Sequence, residues 1–373
     1  MTDKPGTVNQ NSNKLIQIAN QFQPNAKIID ILQHGSGNIN STFLVTSELQ
    51  PPFILQRLNT VVFCQPELVM NNICILSDYV HQQLQLDLPS DRRWLMPKVL
   101  FTSQNQNHYL AEDGTFWRGI SFIDNSQSFD TIQNLHHAQE IGYGLGMFHQ
   151  LLKNLPTDEL ADTIEGFHIT PGYLQHYHQV IKDVRIEFSP EVNYCLQFIQ
   201  DRPDLPHVLE TAKAAGKLHL RTIHGDPKIN NIMIDCSTQE AVAMIDLDTV
   251  KPGLIHYDIG DCLRSGCNPL GEETDNWEAV TFDPELAQAI LRGYLSVAKD
   301  FLTQNDYQYI YDSIRLLAFE LGLRFFTDYL QGNVYFNVDR ADHNLARALV
   351  QFKLTESIES QSEIINCAIA EMI

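Results

Sequence analysis

The chain is poor in positive charge. Only 25 lysines and arginines stand against 46 aspartates and glutamates, a formal net charge of -21. That imbalance argues against a general binder of nucleic acid or of an anionic membrane, because the phosphates would be repelled. No apolar run reaches the length needed to span a bilayer. No Cys-x-x-Cys pair occurs, and the cysteines at 64, 74, 195, 236, 262, 267 and 367 are irregularly spaced. Neither a disulfide framework nor a structural zinc site is expected, and a reducing compartment is. Met1 to Asn13 is polar and lacks the apolar segment of a secretory signal. The expectation is a cytoplasmic protein. The 14 histidines form no metal-like cluster, and no internal repeat or low-complexity linker is visible. What remains is ordinary for a globular chain with a full core: 43% of residues are hydrophobic and 19% charged.

Periodicity divides the chain into a strand-rich beginning and a helix-rich remainder. Residues 1–20 are expected to be flexible apart from a short helix from Leu15 to Phe22. Strand-like pieces follow around Ile28–Ile31, at Thr42–Thr46 and at Phe53–Leu58. Leu68–Leu84 has helical spacing. His108–Ala111 and Thr115–Ile123 flank Asp113-Gly114, a hairpin signal. From Phe129 the pattern turns helical: Phe129–Leu152, Tyr173–Lys182, Glu191–Gln200, Leu205–Lys217, Pro284–Leu302, Asp306–Gln331 and Ala341–Ala368. Two strand-like runs, Asn231–Ile234 and Ala241–Ile245, interrupt them. The order predicts an α+β fold in two lobes, 21–124 and 125–373.

The informative segment is His224-Gly225-Asp226-Pro227-Lys228-Ile229-Asn230-Asn231, followed by Ile245-Asp246-Leu247-Asp248. Phosphoryl transfer needs a carboxylate to orient the attacking hydroxyl, oxygen ligands for magnesium, and a cation beside the transferring group. Asp226 and Asn231, five residues apart, let one loop present a base and a metal ligand. Lys228 supplies the cation. The strand Ala241–Ile245 delivers Asp246 at its end, where a carboxylate suits a hard ion, with Asp248 close behind as a further ligand or as a residue ordering the loop. Asp and Asn are common turn formers, so any one of these residues alone means little. Their joint occurrence and order follow the catalytic-loop logic of protein kinases, with Ile-Asp-Leu-Asp in place of Asp-Phe-Gly.

On these residues the chain resembles the aminoglycoside phosphotransferase and choline-kinase-type superfamily, whose fold is protein-kinase-like. Further stretches resemble its N-acetylhexosamine 1-kinase branch: Phe53–Asn59, Asp246–Gly253, Tyr257–Gly266 and Arg324–Leu330. The resemblance implies ATP and Mg2+ as cofactors, a nucleotide-binding N-terminal lobe and a catalytic C-terminal lobe. It places Gly35-Ser36-Gly37 at the phosphate loop, where an ordinary hairpin is the competing reading. It places Ser121 and Ile123 in a hinge carrying the adenine. Arg57 stands near the position of the phosphate-contacting lysine, or is a strand-end charge. Asp258 matches an aspartate that braces the catalytic loop. Arg264 and Asn268 either line the acceptor pocket or are a helix-end charge and a turn residue. Arg324 and Tyr335 correspond to sugar contacts, since a guanidinium donates to hydroxyls and an aromatic face stacks on a pyranose. The expected partner is a small sugar rather than nucleic acid or membrane. A kinase for an aminoglycoside or amino alcohol, and a nucleotide-binding pseudoenzyme, are the alternatives.

Overall fold

A computed structural model describes residues 7–35, 39–86, 92–185 and 188–372, with side chains from residue 13 onward. The chain folds into two compact units. One comprises Met1–Asn125, Glu159–Ile164 and Leu247–Val250; the other Ser126–Asp158, Glu165–Asp246 and Lys251–Ile373. The predicted boundary near residue 124 is thus crossed again by two short later segments.

In the first unit α1 (Thr7–Phe22) precedes β1 (Ile28–Gln33), β2 (Ser41–Ser47) and β3 (Phe53–Arg57). Then come α2 (Pro66–Leu86), β4 (Val99–Leu100), β5 (Tyr109–Leu110) and β6 (Phe116–Ser121). The strands form one antiparallel sheet in the order β1-β2-β3-β6-β4, with β5 on β6 across the expected Asp-Gly turn. Val45, Phe53, Leu55 and Trp117 bury their apolar faces on one another. Ile18, Ala19 and Phe22 of α1 complete that core at 3%, 0% and 5% exposure. The expectation of a flexible stretch through residue 20 is therefore corrected: α1 puts three successive core contacts on one helical face, and their burial holds it on the sheet.

The second unit runs β7 (Ser126–Gln127), α3 (Leu135–Leu152), α4 (Thr170–Asp183), α5 (Pro190–Gln200), α6 (Val208–Ala214), β8 (Arg221–Ile223), β9 (Ile232–Asp235), β10 (Ala241–Met244) and β11 (Lys251–Gly253). It continues with α7 (Ile255–Gly266), α8 (Pro284–Ala298), α9 (Gln304–Gln308), α10 (Ile310–Leu330), α11 (His343–Ser360) and α12 (Ser362–Ala370). β10, β9 and β7 form one small sheet, and β11 pairs with β8 in another. The helix expected from Phe129 starts only at Leu135. Asn134 caps it, its side chain accepting from the His137 N–H, so the preceding residues stay outside. Asp306–Gln331 is two helices rather than one: a capping box of Thr303 and Asp306 starts the short α9, which ends at Tyr309, where the backbone leaves the helical range at φ -102° and ψ 4°.

One close packing sets the frame. α3 and α8 meet with their backbones nearly touching: a Cβ on Gly142 would lie 1.8 Å from the Ile290 carbonyl oxygen, and one on Gly293 would lie 1.8 Å from that of Gln139. Only glycine fits at either place. That approach sets His149 of α3 against Tyr294 of α8, Nδ1 to hydroxyl 3.0 Å.

Candidate active site

His224 to Asn231, and Asp246, lie in the second unit. β8 ends at Ile223, and the chain turns through His224, Gly225 and Asp226. Gly225 takes φ +85°, a conformation that a side chain would strain. The buried carboxylate of Asp258, on α7, holds this turn. Its Oδ2 accepts the His224 N–H at 2.6 Å and its Oδ1 accepts the Gly225 N–H at 2.8 Å. His149 Nε2 reaches the same Oδ2 at 2.9 Å. Burial pushes the Asp258 carboxyl up, but the His149 hydrogen bond and charge, with His224 behind them, bring it below the usual carboxylate value. The expected brace is present.

His224 is read the same way. Its Nδ1 accepts the Asp226 N–H at 3.3 Å, so its Nε2 carries the proton and donates to the Ile245 carbonyl at 2.9 Å. Burial lowers its pKa and keeps it neutral. Asn231 closes the loop by donating its Nδ2 to the Asp226 carbonyl at 2.7 Å. The Ile245 N–H donates to the Asn231 carbonyl at 2.9 Å. The five-residue spacing and the strand that delivers Asp246 are therefore physically joined. Asp246 is exposed at the end of β10 with φ +61°, a left-handed conformation that Asp tolerates better than most residues.

Lys228 Nζ lies 3.0 Å from Asp226 Oδ2, both side chains partly exposed. Burial raises the Asp226 pKa, while the Lys228 charge and hydrogen bond lower it by more, helped by His224 and Arg264. The carboxyl ends below its ordinary value. The Asp226 charge raises Lys228 in turn, against burial, with Asp246 and Glu272 adding to it.

A metal fits this donor set. Asn231 spends its amide nitrogen on Asp226, which leaves its carbonyl oxygen as donor, and Asp246 offers a carboxylate. Among the described residues no group of three or more His, Cys, Asp or Glu is arranged to hold a metal. Two oxygen ligands with the rest left to water and phosphate is the pattern of magnesium, not of zinc.

Asp248 does not fit, and the expectation that it binds metal is corrected. It belongs to the first unit, 2% exposed, with Oδ1 2.5 Å from Arg118 Nη1 and Oδ2 accepting from Asn40 Nδ2 at 2.7 Å. Both oxygens are committed, so Asp248 orders its loop. Arg118, buried on β6, also donates its Nε to Gln56 at 2.9 Å. Sequence reasoning missed it because a single arginine in a strand reads as a surface charge.

The residues expected to bind nucleotide are more dispersed within the first unit. Gly35 has φ +74° at the end of β1, where the His34 N–H donates to the Thr42 carbonyl. Ser36 and Gly37 lie outside the described residues. Arg57 is exposed and donates only weakly to Ser41, at 3.3 Å. Ser121 is paired with Lys98 through both its N–H, at 2.8 Å, and its hydroxyl, at 2.9 Å. Its N–H is therefore not available to a base. Ile123 is 6% exposed.

On the second unit Arg264 is 4% exposed, gripped by Asp261 Oδ1 at 2.6 and 2.9 Å and by Glu272 at 3.1 Å. Asn268 uses its amide on the Gly271 carbonyl and its oxygen on the Leu270 N–H. Its expected place in an acceptor pocket is corrected: it is a turn residue, because both ends of its side chain are taken.

Arg324 differs. Its guanidinium makes no hydrogen bond or ion pair among the described residues. It lies over the rings of Tyr173 (5.1 Å), Phe167 (5.2 Å), Phe336 (5.4 Å) and Tyr335 (6.0 Å). Burial lowers its pKa, but Tyr173, Glu320, Tyr335 and Asp226 raise it overall. The loop bearing Tyr335 is shaped by Asp328, one turn beyond Arg324 on α10. Asp328 accepts the N–H groups of Val334, Tyr335 and Phe336 at 2.9, 2.8 and 3.0 Å, and the Asn344 amide at 2.8 Å.

The turn braced by Asp258 presents a carboxylate and an ammonium side by side. The chain belongs to the phosphotransferase enzyme family, which it matches over residues 30–304. It is a small-molecule kinase of that family, moving a phosphoryl group to a hydroxyl acceptor. Solved structures share the protein-kinase-like fold, an N-terminal antiparallel sheet followed by a largely helical part. A microcompartment-associated aminopropanol kinase matches with TM-score 0.62 at 17% identity, covering 95% of this chain and 98% of that one. An aminoglycoside phosphotransferase from Alicyclobacillus acidocaldarius subsp. acidocaldarius DSM 446 matches with 0.61 at 15%, covering 96% and 94%. A choline kinase from Cryptosporidium parvum Iowa II matches with 0.60 at 16%, covering 95% and 97%. No described helix is long and apolar enough to cross a membrane.

Proposed function

We propose that the protein transfers the γ-phosphoryl group of ATP to a hydroxyl of a small neutral sugar, the anomeric hydroxyl of an N-acetylhexosamine. Asp226 orients the acceptor hydroxyl and takes up its proton late, as the oxygen–phosphorus bond forms. Its lowered pKa suits a role in which positioning outweighs basicity, since phosphoryl transfer asks little of the base before bond formation. Lys228 stands beside Asp226 to offset charge on the transferring group. Asn231 and Asp246 would hold magnesium, which when bound supplies charge neutralisation at the phosphates.

One observation carries the choice of acceptor: among the described residues the guanidinium of Arg324 makes no hydrogen bond or ion pair, and it is ringed by four aromatic side chains. A guanidinium with its N–H groups unspent repels a cationic acceptor and offers donors to hydroxyl or amide oxygens. Tyr335, 52% exposed, offers a face to a pyranose ring. A second reading, an amine-bearing acceptor, is favoured by the names of the aminopropanol, choline and aminoglycoside kinases that share the fold.

The two are separated by the product. The protein is incubated with magnesium-ATP and a 13C-labelled N-acetylhexosamine, and the product is read by 31P and 13C NMR. Phosphorus coupled to the anomeric carbon is the expected result. A phosphate ester at another carbon, or no ester while choline or aminopropanol is phosphorylated, rejects the proposal.

A further inference from the structure

A second carboxylate–histidine pair lies under the catalytic turn, on the side opposite in bonding sense to Asp258. His168 is 4% exposed, and Glu320, on α10, is 1% exposed. His168 Nδ1 lies 2.8 Å from Glu320 Oε1, and its Nε2 lies 2.7 Å from the Gly225 carbonyl oxygen. Both partners are acceptors only. A neutral imidazole has a single N–H, so satisfying both bonds requires the ring to donate twice, as the imidazolium. Thr170 holds the other Glu320 oxygen, donating its hydroxyl at 2.5 Å. Tyr257 of α7 stacks on the ring at 5.4 Å between centroids.

Gly225 is therefore gripped on both of its polar groups. Asp258 takes its N–H from one side and His168 donates to its carbonyl from the other. That carbonyl belongs to the peptide unit immediately before Asp226, so its orientation sets the direction in which Asp226 leaves the turn. His168 itself has φ +65°, an unfavourable backbone conformation for a non-glycine residue.

We propose that His168 is a positioning residue for phosphoryl transfer, held as an imidazolium by Glu320 and fixing the peptide that carries Asp226. The inference deepens the proposed function and rests on Asp226 as the catalytic carboxylate. The charged and titratable groups facing the ring are Glu320 from α10, and Asp261 and Tyr257 from α7. Burial alone lowers the His168 pKa, but Glu320, Asp261 and the Gly225 bond raise it above the ordinary histidine value, in agreement with the bonding geometry.

Two measurements on the full-length protein test this. The first needs no substrate. In 15N-histidine-labelled protein at pH 7.5, both ring nitrogens of His168, assigned by its loss in His168→Gln, are expected to be protonated. A neutral ring overturns the proposal whatever the protein phosphorylates. The second is kinetic. His168→Leu/Glu320→Met removes the clamp without leaving a buried charge unpaired. It is expected to lower kcat at least about tenfold, with KM for ATP unchanged within about twofold, while His168→Gln, whose amide still donates, recovers part of the loss. Unchanged kcat in the folded double variant overturns the proposal. In Glu320→Gln the histidine loses the charge that raises its pKa, so the alkaline limb of kcat is expected to move to lower pH. An unmoved limb argues that the ring acts only as packing.

Discussion

Two stretches of the second unit treat their polar groups in opposite ways. At the turn after β8 the polar groups are spent inside the protein: Asp258 accepts the His224 and Gly225 N–H groups, Asn231 donates to the Asp226 carbonyl, and His224 donates to the Ile245 carbonyl. Around Arg324 the backbone is equally well held, by Asp328, yet the guanidinium is left to aromatic faces. The first stretch is preorganised for one reaction. The second leaves its guanidinium without a hydrogen bond or ion pair among the described residues. In the proposed function the closed network carries the chemistry and the open one the selectivity.

The largest effect should come from breaking the closed network at its working end. Asp226→Asn keeps the shape and removes the charge, and kcat should fall about 10³-fold with the melting temperature little changed. Steady-state ADP release together with thermal unfolding checks this. If the fall comes with a matching loss of fold, Asp226 is structural.

Next is a loss of stability without loss of metal affinity. Asp248→Ala would leave Arg118 buried and unpaired, which costs about 3–5 kcal/mol. Urea unfolding should show that loss. The magnesium concentration giving half-maximal activity should stay the same, since Asp248 is committed to Arg118 and Asn40. A large shift in magnesium requirement would return Asp248 to the metal site.

Third, the pH dependence of kcat reports the Asp226–Lys228 pair. The anion is the working form, and its pKa is lowered, so activity should hold across neutrality and fail only as pH drops through the lowered value. Lys228→Met removes the main lowering influence while burial remains. The acid limb should move upward, and kcat at its plateau should fall about 10²-fold. An acid limb that stays in place means another group titrates there.

The smallest change tests the open stretch. On the proposed sugar acceptor, Arg324→Met should raise KM for that sugar about tenfold and leave kcat nearly intact, because it would remove donors to the acceptor and not to the phosphoryl group. An equal loss in kcat would move Arg324 into the chemistry.

Much of this was legible in the sequence for identifiable reasons. The catalytic segment is local, so its residues sit on one loop and their spacing carries the geometry. β1, β2, β3 and the Asp113-Gly114 hairpin announce themselves by alternation and turn chemistry. α7, with its buried Asp258, Asp261 and Arg264, was not read as a helix, because charged residues on both sides of Ile259 and Cys262 hide its apolar face. β4, β7, β8 and β11 are two or three residues long, too short for any period to show. His168 and Glu320 lie 152 residues apart and meet only through the fold. Asn268 was ambiguous from sequence, because a polar residue beside a Gly–Pro turn looks the same whether it faces a ligand or closes the turn.

The most direct single measurement is ADP release with magnesium-ATP and separate acceptors: N-acetylhexosamines, free hexoses, choline, aminopropanol and an aminoglycoside. The expected result is the highest kcat/KM on an N-acetylhexosamine, with the cationic acceptors at background. Turnover confined to choline, aminopropanol or the aminoglycoside would contradict it, and the unpaired guanidinium of Arg324 would then need another explanation.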